Sequence, residues 1–586
     1  MLNTKKSFLH SVVFTATLGL SPLLASNNSF ATITQDTIKV MEKHTFSTAG
    51  FRPFLADVAK YNSNLQSTIQ SFLDGNTLSQ QANEDLYRLL GIYTKKRYGE
   101  EAIALLEEFV TYDTAMVIGR PQHENPDMIA LGKLIGEKAK AFGLVFKNVD
   151  NRVFEVTLPG QDEDLVGFHA HADIVPVNKS LWVLDDGTQL EPLKVTTIGN
   201  RMYGRGTEDD KNGIVVSLFA MKVIKEEQLP VRQTLRLIVD TTEETSGTAI
   251  PYYMKRRPMP PYNLALDGSY PVVIAEKGYG TVMASFPVRK TDTDAQSPQI
   301  IGMTGGLATN QIPAAATLTF SGGNLSKLEK KVRKLAKRFT KKYGAKHTDG
   351  QFHIETQQTD DTLVVTFKGV SAHSSQPDTG INPVSRIFLF VDTYHKALGI
   401  SENEYTDAAQ YASDNWGLDF YGKELGIDFS HDFMGPMTAS QTYIGTDGKT
   451  LKTAVNIRMP AGKTADELKN ELAQKLVTWQ GKHGEIKITI EHSQAEPMYR
   501  SPEGKWVNNL LDIAAENLNI ERKFGSSNGA TSAHNLPNGV QFGLSMPNEK
   551  YTGHNANEFK TIDQFLLDLQ IVTETFIRIG NLDSME

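Results

Sequence analysis

Apolar positions along the chain follow two periods, and the way they alternate marks out regions. From 32 to 99 the spacing is mainly helical, as in Leu86-Tyr87-Arg88-Leu89-Leu90. From 100 to 288 short apolar runs that read as strands alternate with helical segments, the pattern of an α/β domain with a largely parallel sheet. This region includes a helix over 129–142, a hairpin-like stretch through 154–156, and buried runs beginning at 165, 235 and 264. From 289 to 496 the order becomes strand–helix–strand, twice: 317–320, 325–343 and 363–367, then 454–458, 465–479 and 486–490. That repetition predicts a second, inserted α+β domain built as a loose internal duplication. From 497 to 586 the α/β character returns, and a closing helix over 562–579 would cover the sheet.

The buried runs of the first region end in residues that carry chemistry. The run from Leu165 delivers His169, His171 and Asp173, and residues two apart on a strand share a face. The run from Leu235 leads into Asp240-Thr241-Thr242-Glu243-Glu244, and the run from Leu264 ends at Asp267. In open α/β sheets, sites form beyond the carboxyl ends of strands. Between the first two runs lies Gly204-Arg205-Gly206-Thr207-Glu208-Asp209-Asp210-Lys211-Asn212-Gly213. Ile214, Leu218, Met221 and Ile224 follow at helical spacing, so the adjacent carboxylates stand just before or within a first helical turn. Alone, this is an acidic helix start favoured by unpaired N–H groups and the helix dipole. Beside the other strand-end ligands it becomes a candidate metal site.

Composition narrows the chemistry. The 586 residues contain no cysteine, which excludes disulfides, thiolate nucleophiles, iron–sulfur clusters and Cys-type zinc fingers. Any metal must be held by His, Asp and Glu. The formal charge of −8 gives no reason to expect nucleic acid or an anionic membrane as partner. The Lys- and Arg-rich helix over 325–343 keeps its apolar positions on one face, so its charges form a solvated surface. Lys5 and Lys6, an apolar stretch over 8–25 and the small residues around Ala31 read as a signal peptide over 1–31, with no membrane anchor after cleavage. The expected location is periplasmic or secreted.

The motifs also occur in a recognisable order. His171-Ala172-Asp173-Ile174-Val175-Pro176, the 204–213 stretch, Glu243-Glu244, Asp267 with Glu276-Lys277-Gly278, Ser371-Ala372-His373 and Gly553-His554 together resemble the co-catalytic dizinc family of aminoacylases, glutamate carboxypeptidases and dipeptidases. Within it the chain looks most like the PepV-type dipeptidases. Each motif alone is weak, whereas the ordered set is specific. The similarity runs from about residue 100 to the C-terminus.

The resemblance implies a phosphorylase/hydrolase-like α/β catalytic domain in two parts (100–288 and 497–586), an inserted α+β lid (289–496) and a helical N-terminal extension (32–99) outside the usual pattern. It implies two zinc ions per chain, although manganese or cobalt can occupy such a ligand set. His171 and Asp267 would bind one ion, Glu244 and His554 the other, and Asp209 would bridge them. Asp173 would orient the His171 ring, and Glu243 would be the general base. His169 competes with His171 for the ligand role, and the H-x-D-x-V-P spacing favours His171. The Asp209–Asp210 peptide would be strained, in a cis form.

From the lid, His373 would stabilise the oxyanion, and Asn310 and Arg458 would hold substrate. Read as bare residues, Arg458 could equally be a surface arginine and Asn310 plain turn chemistry. The implied activity is hydrolysis of dipeptides or short peptides in a site complete within one chain; the alternative is an N-acyl amino acid deacylase or a metallocarboxypeptidase. Two departures bear on specificity. Gly525-Ser526-Ser527-Asn528-Gly529-Ala530-Thr531 stands where PepV-type enzymes have a more glycine-rich loop. Asn212 stands where glycine is commoner, a substitution that the tolerance of Asn for left-handed backbone would allow.

Overall fold

The computed structural model describes residues 44–289, 296–344 and 351–586, with positions 33, 37, 38 and 41. The expected signal peptide lies outside the described residues.

The larger domain is built on a nine-stranded sheet. Its order is Val145–Val149, Val153–Leu158, Thr234–Asp240, Leu165–His171, Tyr262–Ala265, Gly539–Gln541, Val273–Glu276 and Met498–Tyr499, with Gly525–Ser527 also paired to Val273–Glu276. The central strands run parallel: Leu165–His171 pairs in parallel with Thr234–Asp240 on one side and Tyr262–Ala265 on the other. Strands covered on both faces become near-continuous apolar runs, which is why these segments show no clean alternation. Helices Lys211–Glu226 and Ile562–Gly580 pack together over the sheet, and Phe168 stacks on Phe576 with ring centroids 3.7 Å apart.

The N-terminal extension is integral to this domain. Its long helix, Gln80–Val110, lies along Ile562–Gly580. Gly91 makes the close approach: a Cβ there would stand 2.4 Å from the Gln570 carbonyl oxygen. Nearby, the buried Arg88 donates to Glu574 at 2.7 Å.

The inserted domain is an eight-stranded antiparallel sheet with two similar halves. One half has the order His353–Gln358, Leu363–Lys368, Ala315–Ser321, Gln299–Gly305; the other continues as Thr438–Thr446, Thr450–Met459, Gly278–Pro287, Thr489–Gln494. Because Gly278–Pro287 belongs to this sheet, the sheet begins ahead of residue 289. Helix Leu325–Tyr343 buries Leu325, Leu328, Val332, Ala336 and Phe339, and Ala465–Lys482 occupies the equivalent place in the other half. In the first half, helix Leu325–Tyr343 leads into His353–Gln358, a strand the sequence pattern did not single out, before Leu363–Lys368; in the second, Thr450–Met459, Ala465–Lys482 and Thr489–Gln494 follow in the expected order. The structure adds helices Pro383–Leu398 and Glu404–Asn415, which the sequence pattern did not single out.

Candidate active site

Three parallel strands deliver the polar cluster. His171 closes Leu165–His171 and stands in register with Asp240, the last residue of its neighbour. Glu243 and Glu244 follow Asp240 directly, and Asp267 lies just beyond Tyr262–Ala265. Asp173 ties these ends together. Its two carboxylate oxygens accept the N–H groups of Glu243 and Glu244, each at 3.1 Å, while its carbonyl oxygen lies 2.9 Å from His171 Nδ1. The remaining ring nitrogen, Nε2, is thereby aimed at Asp209 Oδ1, 2.8 Å away, and lies 4.0 Å from Asp267 Oδ2.

Asp209 stands between two imidazoles. Its second oxygen is 3.0 Å from His554 Nε2, which is itself 2.7 Å from Glu244 Oε1. His171, Asp209 and Glu244 form one group, and His171, Glu243 and Asp267 another; within each, the ligand-type atoms lie within 4.8 Å of one another.

This much buried acid shifts protonation strongly. Burial, reinforced by Glu244, Asp173 and Asp209, pushes Glu243 up to about 8. Burial and the neighbouring Glu243 push Asp267 well above the usual carboxylate range. Burial acts the same way on Asp209, but hydrogen bonds and charge from His171 and His554 overcome it and hold the group down. Against burial, Asp209 and Glu244 raise His554 to about 10. A divalent cation would relieve this crowding. Two imidazoles and several carboxylates, with no thiolate, form a donor set that fits zinc or a harder divalent ion.

The loop carrying Asp209 is fixed by residues that spacing alone did not identify. The fully buried Glu558 accepts from the Arg205 guanidinium and from the N–H groups of Gly206, Glu208 and Asp209 at 3.0, 2.9 and 3.2 Å. Glu208 accepts the N–H groups of Thr552 and Gly553 at 2.6 and 3.1 Å, joining this loop to the one bearing His554. Tyr551 donates to Asp209. The buried Lys211 donates to the carbonyls of Phe109 and Tyr112 at 3.0 and 2.7 Å, anchoring the loop to the end of Gln80–Val110. The Asp209–Asp210 peptide is cis, as the resemblance implied, and Asp210 accepts the His171 N–H at 3.1 Å. Asn212 sits in the first turn of Lys211–Glu226, so no left-handed backbone is required of it.

His169 lies on the same strand as His171 but engages a different partner. Its Nε2 is 2.9 Å from Asn263 Oδ1, and burial lowers the ring to about 4.

The lid presents its own polar face. His373 pairs in register with Gln311, next to Asn310, whose carbonyl oxygen accepts the Ser374 N–H at 2.9 Å. His373 is an exposed residue, but its imidazole is half-buried, with Nδ1 2.6 Å from Ser375 Oγ. Desolvation, together with the charges of Arg458 and His554, lowers it to about 4. Arg458 is only 7% exposed and donates through Nε to Asn456 Oδ1 at 3.1 Å. No carboxylate among the described residues pairs with it. Asn456 also accepts from Ser374 Oγ at 2.7 Å, so one buried amide braces both the Arg458 and the His373 segments.

Arg458, Glu243, Ala530 and Thr531 line a cavity of about 300 Å³ between the domains. Thr531 Oγ1 and His534 Nδ1 lie 2.9 and 3.0 Å from the buried Glu276 carboxylate, which pins the 525–534 loop against the sheet.

The chain is similar to known proteins over most of its length. Residues 167–578 match the profile of "Peptidase family M20/M25/M40". A Beta-Ala-Xaa dipeptidase of Lactobacillus delbrueckii subsp. lactis is 28% identical over 480 residues, covering 81% of this chain and 95% of that protein. A putative dipeptidase, YtjP, of Bacillus subtilis is 25% identical over 499 residues, covering 83% and 98%. Among solved structures, human carnosine dipeptidase 1 aligns with a TM-score of 0.49 at 12% identity, covering 85% of this chain and 99% of its own.

Proposed function

Since the chain belongs to peptidase family M20/M25/M40 and is a hydrolase of the peptidase class, we propose that it is a two-zinc dipeptidase whose site is complete within one chain. The observation that carries this reading is Asp209, held between His171 and His554 with a different carboxylate oxygen facing each ring. A carboxylate so placed would be shared by two metal ions, one on each oxygen's side. His171 and Asp267 would complete one metal site, Glu244 and His554 the other.

When bound, the metals would polarise the scissile carbonyl and make an attacking water more acidic. Glu243 is left to move the proton. Its carboxylate takes it from the water and passes it to the leaving amine. Asp173 holds the Glu243 and Glu244 backbone and the His171 ring in one arrangement, so base and ligands keep a fixed relation.

His373 would donate to the oxyanion of the tetrahedral intermediate, a role open to a neutral imidazole on the lid. Arg458, buried and without a carboxylate partner among the described residues, would receive the free C-terminal carboxylate, with Asn310 beside the lid histidine as a second substrate contact. Arg458 of the lid and Glu243 of the larger domain line one cavity within a single chain, which supports a self-sufficient site. Export is proposed from the basic, apolar and small-residue pattern over 1–31, and fractionation of the host cell tests it.

A panel of dipeptides, longer peptides, N-acetyl amino acids and C-terminally amidated dipeptides tests the function. The proposal expects fastest cleavage of unmodified dipeptides. Preference for N-acetyl amino acids would replace it with the deacylase reading.

A further inference from the structure

The cavity beside Glu243 and Arg458 has walls that neither residue explains. Ile250 and Met254 sit one helical turn apart on Ala249–Met254 and share a face. Tyr279 stands across from them, directly opposite Arg458 in the antiparallel ladder, so its ring and the guanidinium leave the sheet on the same side. Met254 and Tyr279 are large side chains left 42% and 46% exposed at this cavity, while Ile250 is buried at 5%. The His534 ring, 6.1 Å from that of Tyr279 and fixed by Glu276, extends the same wall.

Resting on the dipeptidase reading, we infer that this cavity holds the side chain of the substrate's C-terminal residue and selects apolar and aromatic side chains over charged ones. Two constraints place that residue here. The amine released by hydrolysis must lie within reach of Glu243, which protonates it, so the C-terminal residue is on the Glu243 side of the scissile bond. Its free carboxylate must reach Arg458. Both groups line the one cavity, whose volume of about 300 Å³ is at the lower end of pockets that hold small ligands. Between these two anchors Ile250, Met254 and Tyr279 form the apolar part of the wall and reward apolar contact, beside the polar Thr531, Ser532, His534 and Asn535. An acidic side chain would face Asp240 and Glu243 on the same wall, with Arg458 already engaged by the main-chain carboxylate.

The test is kcat/KM for Ala-Leu, Ala-Phe, Ala-Asp and Ala-Lys with the zinc-loaded full chain, repeated with Met254→Lys. Wild type should cleave Ala-Leu and Ala-Phe about tenfold or more faster than the two charged substrates, the scale on which apolar pockets discriminate. Met254→Lys, at an exposed position where folding tolerates a charge, should lower Ala-Leu and raise Ala-Asp. A flat wild-type profile, or a preference for Asp or Lys, overturns the inference while leaving the dipeptidase reading intact. Cleavage of none of the four, with N-acetyl amino acids cleaved, overturns both.

Discussion

Glu558 accepts a hydrogen bond from the Asp209 N–H at 3.2 Å across 349 residues of chain. The same carboxylate holds Gly206, Glu208 and Arg205, so the loop that presents Asp209 is shaped from the far end of the sequence. Glu558→Gln should therefore loosen Asp209 without removing any metal ligand. Metal affinity and kcat/KM should fall about 10- to 100-fold, the usual cost of losing support behind a ligand. Metal titration beside circular dichroism checks this; unchanged affinity would mean the loop holds its shape without Glu558.

Glu243→Gln separates base from ligand. Its neighbour Glu244, not Glu243, faces His554, so the variant should keep two metals while kcat drops about 10²- to 10⁴-fold. Loss of one metal together with turnover would instead assign Glu243 to the His171–Asp267 group, with which it is also clustered.

Arg458 makes a prediction about the substrate's end. Wild type should prefer a dipeptide over its C-terminal amide, and Arg458→Lys should erase much of that preference, chiefly through KM, because an ammonium cannot reproduce the two-point contact. Kinetics on the matched pair decide the matter; a preference that survives the substitution would place the carboxylate elsewhere.

His169 gives a stability prediction with a definite sign. Its ring falls from 6.5 to about 4 on burial, so the folded state stays neutral where the unfolded chain takes up a proton. The contribution is present above pH 6.5 and is lost as pH falls through the window from 6.5 to about 4, amounting to on the order of 3 kcal/mol. In chelator-treated protein, His169→Gln should show a flatter fall in thermal midpoint across that window than wild type. Parallel curves would contradict the assignment.

The strand-end residues were legible in the sequence because a strand has period two and the sheet collects its carboxyl ends. That is enough to juxtapose His171, Asp173, Glu244 and Asp267. The lid helix Leu325–Tyr343 was legible for a related reason: its apolar stripe shows openly in the sequence. Glu558, Asn456, Lys211 and Tyr551 were not legible. Their partners are backbone groups or side chains brought near only by the fold, and no local spacing encodes that. The early start of the lid sheet was hidden similarly. Gly278–Pro287 continues almost directly from Val273–Glu276, so one apolar stretch serves two sheets.

The central claim is that five side chains, from His171 to His554, hold two metal ions that hydrolysis requires. Metal content per chain, measured on purified active protein alongside dipeptide cleavage before and after chelation, tests it most directly. The account predicts two divalent ions per chain, loss of cleavage with their removal and recovery on adding zinc. Full activity in metal-free protein, or full activity with a single ion per chain, would contradict it.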